Sequence, residues 1–293
     1  MRKLITNIGQ QLSNFVLFRD RRILWASIIV LSLFLYAESV ERHPAPAMQG
    51  EELHQPQSIN PLTNETLRIS TYNIYRGRGL DKRGAMDDVI KTLSNDDIVA
   101  IQEVGFQGWP VPIDQAEFIA RKIGLAWLFA PIQTRGDDLY IGNALLTRVP
   151  INKWSITPLV WSNDNDNPKQ SRRYRNRIVA KAKIAEKEVV LINTHLDRGP
   201  IRHVQLHNLL EEIDRYPRVI AMGDLNTIRD DPILSDWLKK HPGADALATD
   251  FDQHSAGPRI DWIIVKGFEV LDKGMIPAGI SDHPYFWAEV RPL

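Results

Sequence analysis

From Leu67 onward, apolar runs alternate with short polar islands, and most runs end in one. LRISTY runs into Asn73, DIVAI into Gln102-Glu103, and EVVLIN into Thr194-His195. RVIAMG runs into Asp224 and Asn226, Asp261 opens DWIIV, and Ser281-Asp282-His283 precedes YFWAEV. Gly142-Asn143 leads into ALLTRVPI. Runs of this length, rich in Ile and Val, predict strands; their unbroken apolar character predicts cover on both faces. Apolar residues at helical spacing predict helices over Met86–Leu93, Ala116–Ile123 and Ile201–Ile213. The AEKE turn between RIVAKAKI and EVVLINTHL predicts a hairpin. Mixed hairpins and helical crossovers predict an α/β fold of two packed mixed sheets with helices outside.

The front of the chain reads differently. Residues 1–22 are basic, with Arg2, Lys3, Arg19, Arg21 and Arg22 against Asp20. Residues 23–37, ILWASIIVLSLFLYA, are uncharged and apolar. That stretch is slightly short for a span of about 17–25 residues and sits at the upper end of a signal core of about 7–15. The long preceding segment, and bulky Leu35 before the nearest cleavage point, favour an uncleaved anchor over a cleaved signal or a buried helix. The arginines place the N-terminus in the cytoplasm and the remainder outside it, on the periplasmic side of the inner membrane in a bacterium. Cleavage would leave a secreted protein. Residues 38–66, with Pro44, Pro46, Pro56 and Pro61, read as an extended linker, leaving 67–293 as one domain.

Net charge is zero, and the acidic linker offsets the basic front, so the domain is neutral as well. A neutral domain has no global field to draw in a polyanion, which weighs against high-affinity nucleic-acid binding but not against a hydrolase that meets its substrate briefly. With no cysteine, the chain needs no disulfide. The islands hold carboxylates, amides and two histidines, which suit hard cations and proton transfer. Each residue has a plainer reading alone. Asn73 could serve a turn, Glu103 could be solvated, Asp224 could cap a helix, and His195 could be a satisfied core histidine.

Taken in order, the islands resemble those of the endonuclease/exonuclease/phosphatase superfamily of DNase I-like, metal-dependent phosphoesterases, over Leu67 to the C-terminus. The resemblance implies a four-layer sandwich and hydrolysis of phosphodiester or phosphomonoester bonds. It implies a Mg²⁺ site, with Mn²⁺ or Ca²⁺ as alternatives, at Glu103 with Asn73 and Asp282 beside it. Asp224 would be the general base, with Asn226 on the same strand face orienting water or phosphate. His283, oriented by Asp261, and His195 would serve the phosphate and the leaving group. Arg177, in the basic run PKQSRRYRNR, is the expected phosphate contact. Expected substrates are nucleic acid, nucleotide or phospholipid head group, with a sphingomyelin-type phosphodiesterase as the alternative to a nuclease. The competing class is a catalytically silent scaffold of the same fold. No protein partner is inferable, and the membrane is met through residues 23–37.

Overall fold

The computed structural model describes residues 23, 25–32, 43–56, 65–80, 84–107, 113–135, 138–139, 141–161 and 174–293. The chain divides into two compact units, Met1–Arg42 and His43–Leu293. In the first, residues 25–32 are helical, and Trp25, Ile29 and Leu31 are exposed. The basic segment 1–22 and the end of the apolar stretch lie outside the described residues. Among the described residues, no helix is long and apolar enough to cross a membrane.

The second unit carries twelve principal strands, in chain order β1 (Met48–Gly50), β2 (Leu67–Asn73), β3 (Ile98–Gln107), β4 (Ala126–Pro131), β5 (Ile141–Thr147) and β6 (Ile151–Pro158). They continue with β7 (Asn176–Ile184), β8 (Lys187–His195), β9 (Val219–Asp224), β10 (Asp261–Lys266), β11 (Phe268–Ile276) and β12 (Tyr285–Pro292). Its helices are α1 (Met86–Leu93), α2 (Gln115–Ile123), α3 (Arg202–Asp214) and α4 (Pro232–Lys240). Helix α2 begins where the Asp114 carboxylate accepts from the Ala116 and Glu117 amides, and stops at Gly124 in the left-handed region. Helix α4 starts on Asp231 as cap with Pro232 in the first turn.

One sheet runs β11-β12-β2-β3-β5-β4 and the other β10-β9-β8-β7-β6-β1. Both are mixed, and each contains one parallel pair joined through a helix: β2-α1-β3 and β8-α3-β9. The predicted hairpin joins β7 and β8, with Ala185 and Glu186 both at positive φ in its turn. Ile69, Ile98 and Phe286 of the first sheet meet Ile178, Leu191 and Ile263 of the second in a central core. Outside the first sheet, Val89, Leu93 and Ile119 of α1 and α2 pack on Ile101 and Leu146. Outside the second, Leu206, Leu210 and Trp237 of α3 and α4 pack on Ile192 and Trp262. The result is four layers, helix–sheet–sheet–helix.

Residues 43–56 depart from the linker expectation. Met48–Gly50 pairs with β6 at the rim of the second sheet. His54 exchanges backbone hydrogen bonds with Trp127 in β4, at the rim of the first. Ala45 and Leu53 are buried. Rim strands carry unpaired N–H and C=O groups, and this segment satisfies them with its backbone, whatever its side chains.

Candidate active site

Both parallel pairs end at one rim of the sandwich, where Asn73 at the end of β2 bonds Asp224 at the end of β9. Their last registered partners are Asn73 with Gln102, and His195 with Asp224. Strand β10 runs antiparallel to β9 and sets Asp261 opposite Asp224. Five of the polar islands thus meet where the two sheets touch, the usual place for a site in open α/β sheets.

Asp224 is the centre and is fully buried. Its Oδ2 receives the Asn73 Nδ2 hydrogen bond at 3.2 Å, bridging the sheets. His195 Nε2 lies 3.1 Å from the same oxygen and His283 Nε2 3.7 Å from it. Its Oδ1 accepts from the Asn226 backbone N–H at 2.9 Å. Burial opposes ionisation here, but the neighbouring histidines and the Asn226 amide outweigh it and hold the carboxyl below its usual range. His195 is pushed the other way. Burial, then the positive charge of Arg175, lower its pKa against the pull of Asp224. Its Nε2 is close to Asp224 without the alignment of a hydrogen bond.

His283 forms the second part of the site. Its Nδ1 lies 2.8 Å from Asp261 Oδ2. Burial would lower its pKa, but the charge and hydrogen bond of Asp261, followed by Asp224 and Asp282, raise it to about 10. Asp261 itself is raised to about 6, chiefly by burial. At neutral pH the pair is therefore carboxylate and imidazolium. The other oxygen of Asp261, Oδ1, is buried with no hydrogen-bond partner among the described residues. Asp224, Asp261 and His283 each offer a ligand atom, all within 4.8 Å of one another.

Glu103 is presented differently. Ile101 pairs with Ala144 and Val104 with Gly142, so Gln102 and Glu103 together oppose one residue of β5. This β-bulge holds Glu103 at φ 55, a left-handed conformation that costs an ordinary residue about 1–3 kcal/mol. Its half-buried carboxylate makes no hydrogen bond or ion pair within the described residues. Gln102, by contrast, is fully buried and bonded to Asn193 and Thr71. Ser281 Oγ donates to the Asn73 carbonyl at 2.7 Å, tying the C-terminal island to the end of β2. Asp282 is exposed, with Oδ1 3.2 Å from Ser281 Oγ.

Two residues sit elsewhere than the sequence pattern implied. Strand β9 ends at Asp224, and Asn226 lies beyond it at φ 47, so strand alternation does not govern it. Its side chain turns away from Asp224, donating to Leu196 O at 2.8 Å and accepting from Arg198 Nε at 3.2 Å. Arg177 faces α3, where its guanidinium lies 3.6 Å from Glu212. Within the basic run it is Arg175 whose charge reaches His195. The sequence reading passed over Asn193 and Asn176, both buried between the sheets. Asn176 Nδ2 donates to Ala130 O and Pro131 O, and its carbonyl accepts from Thr194 Oγ1. Their only signal was an amide inside, or opening, an apolar strand.

The donors suit a hard cation. Among the described residues Glu103 is a strained, unpartnered carboxylate and Asp261 has an orphaned buried oxygen, and oxygen ligands prevail over nitrogen.

Comparison with known proteins agrees in fold. A structure titled endonuclease/exonuclease/phosphatase from Beutenbergia cavernae matches with a TM-score of 0.59 and 21% identity, covering 78% of this chain and 72% of that one. D. rerio TDP2 complexed with a single-strand DNA product matches with a TM-score of 0.54 and 15% identity, covering 78% of this chain and 100% of that one. A mannosyl-6-phosphatase from Bacteroides thetaiotaomicron matches with a TM-score of 0.54 and 18% identity, covering 76% of this chain and 99% of that one. No curated protein matches. The family model described as Endonuclease/Exonuclease/phosphatase family matches residues 70–283, a span that runs from the strand before Asn73 to His283, and the chain belongs to that family.

Proposed function

We propose that the chain is a divalent-cation-dependent hydrolase of phosphate esters. The observation that carries this reading is the run of contacts Asn73–Asp224–His283–Asp261 across both sheets, with His195 against the same Asp224 oxygen. Glu103, Asn73 and Asp282 would hold the cation, Mg²⁺ or in its place Mn²⁺ or Ca²⁺. Such an ion neutralises phosphoryl charge and makes bound water more acidic.

Asp224 takes up the proton of the attacking water. Its low pKa keeps it in the accepting form throughout the working range, and the Asn226 amide and the Asn73 side chain fix the carboxylate in place. His283, as an imidazolium beside that oxygen, binds the negative phosphate through Nε2. His195, its pKa lowered by burial, can give or take a proton at the departing oxygen. Arg175 adds positive charge on the His195 side.

The substrate class is an ester of a nucleic acid, a nucleotide or a phospholipid head group. The apolar residues 23–37 favour a substrate met near a membrane, with the unit from His43 onward outside the cytoplasm. The test is turnover of chromogenic phosphodiesters and monoesters by the full chain, with Mg²⁺, Mn²⁺ or Ca²⁺ and with chelator. Asp224→Asn should fold normally and lose about 10²–10⁴-fold activity, the usual worth of general-base assistance. Full activity in chelator, or a loss below about tenfold, would refute the assignment. Folded wild-type chain that turns over no phosphate ester would favour the scaffold reading.

A further inference from the structure

We infer that Asn193 is a positioning residue for Glu103, acting from the opposite sheet on the bulge that presents it; this rests on the cation-dependent reaction proposed above. Asn193 lies on β8, one turn of the strand pattern before His195, with its side chain in the dry space between the sheets. Its Nδ2 donates to Ile101 O at 3.2 Å and Ala144 O at 2.7 Å. Those two residues face each other in the last regular pair before the bulge. Its Oδ1 accepts from Gln102 Nε2 at 2.9 Å, and Gln102 is the first residue of the bulge. Gln102 Oε1 in turn accepts from Thr71 Oγ1 at 3.3 Å. Every polar atom of the Asn193 amide is used, and each bond ends on the bulge or on the pair that borders it.

An amide that merely joined two sheets would have no reason to choose those acceptors. A bulge is held only while the ladder on either side of it is kept from closing. Sliding Gln102 and Glu103 by one position would restore regular pairing and send the Glu103 side chain to the other face. The Asn193 amide prevents this by occupying the carbonyls on the near side and fixing Gln102 inward. Ile101 and Val104 both pack toward α1 and α2, so alternation is suspended across Gln102 and Glu103, and fixing Gln102 inward fixes the bulge that presents Glu103. The strained φ of Glu103 is thus maintained by a residue some ninety positions later in the chain, on the strand that also carries His195. Cation ligation and the catalytic histidine are set by one strand.

The test separates position from stability. Cation affinity of the full chain is measured by titration calorimetry with Mn²⁺, and melting is followed by circular dichroism. In Asn193→Ala, affinity should fall about 10–100-fold, the usual effect of losing a residue that orients a metal ligand. Ser70→Ala serves as control, because it removes a buried hydrogen bond from β2 to Asp96, in the connection before β3 and away from the bulge. It should melt earlier yet keep wild-type affinity within about twofold. Should Asn193→Ala fail to fold, Thr71→Val carries the test. It keeps shape, removes one bond to Gln102, and should weaken binding by about threefold or more. Affinity within twofold of wild type in Asn193→Ala, or in Thr71→Val where the former does not fold, would overturn the positioning role alone. A wild-type chain that binds no divalent cation, or a Glu103→Ala chain that binds as wild type, would overturn the cation reading and the positioning role with it.

Discussion

Replacing Asp261 by Asn tests what keeps His283 charged. The imidazole is almost fully buried, which by itself favours the neutral ring, yet its pKa stands near 10. The carboxylate 2.8 Å from Nδ1 is the first of the forces that raise it, ahead of Asp224 and Asp282. The interval from the ordinary 6.5 to about 10 corresponds to roughly 5 kcal/mol of preference for the imidazolium. Because the folded-state pKa is raised, this contribution to stability is present in full below about 6.5. It is lost as pH rises through about 10. Asn preserves shape and an acceptor for Nδ1 but removes the charge. Asp224 and Asp282 remain, so the midpoint should fall by about two pH units or more, not vanish. The assay is a histidine-selective NMR titration, with the His283 signal assigned by its absence in His283→Gln. The alkaline limb of activity should move down with the midpoint. A wild-type His283 titrating near 6.5, or a midpoint unmoved in Asp261→Asn, would refute the pairing. The two residues should also act as a unit, so that the double variant loses about as much activity as either single one. Simple additivity would contradict this.

Gly223→Ala should destabilise the chain by more than about 3 kcal/mol in chemical denaturation, because Gly223 has φ 146 and an added Cβ would lie 1.9 Å from Thr194 O. A loss below about 1 kcal/mol would show that β8 and β9 can part at their ends without cost. The full chain should fractionate with membranes, with the unit from His43 onward open to protease from the non-cytoplasmic side; a mature N-terminus beyond Ala37 would refute the anchor.

The polar islands were legible because they depend on chain order alone. A strand, a helix and a parallel strand must end at the same rim, so Asn73 with Gln102, and His195 with Asp224, are brought side by side by connectivity. The edges were not legible in that way. Residues 43–56 are polar and proline-bearing, and composition marks such a stretch as linker. They pair through backbone groups, which carry no sequence signature. Strand β11 was missed for a related reason: most of its side chains are half-buried or exposed, so it lacks the apolar run by which the inner strands were found. Helix α4 did carry a signal, Asp231-Pro232 ahead of an apolar pattern, and cap chemistry would have found it.

Within the site, the errors fall where strand alternation stops being a guide. Asn226 was set on the face of Asp224 by counting two residues, but the strand ends at Asp224 and the next turn reverses the side chain. Arg177 obeys alternation, and for that reason faces α3, because its neighbour Asn176 faces inward to Asn143. Glu103 is the reverse case. Alternation would set it on the face opposite Gln102, but the bulge suspends alternation there, with Ile101 and Val104 on one face, and a regular strand gives no account of a charged residue in a left-handed conformation. That account needs an acceptor that exists only because the ladder is interrupted. Ile101 O and Ala144 O are ordinary backbone atoms in the sequence and become partners for Asn193 only when two sheets are packed face to face. Side chains that meet through connectivity can be read in advance, whereas those that meet a backbone irregularity across a core become visible only once both sheets are in place.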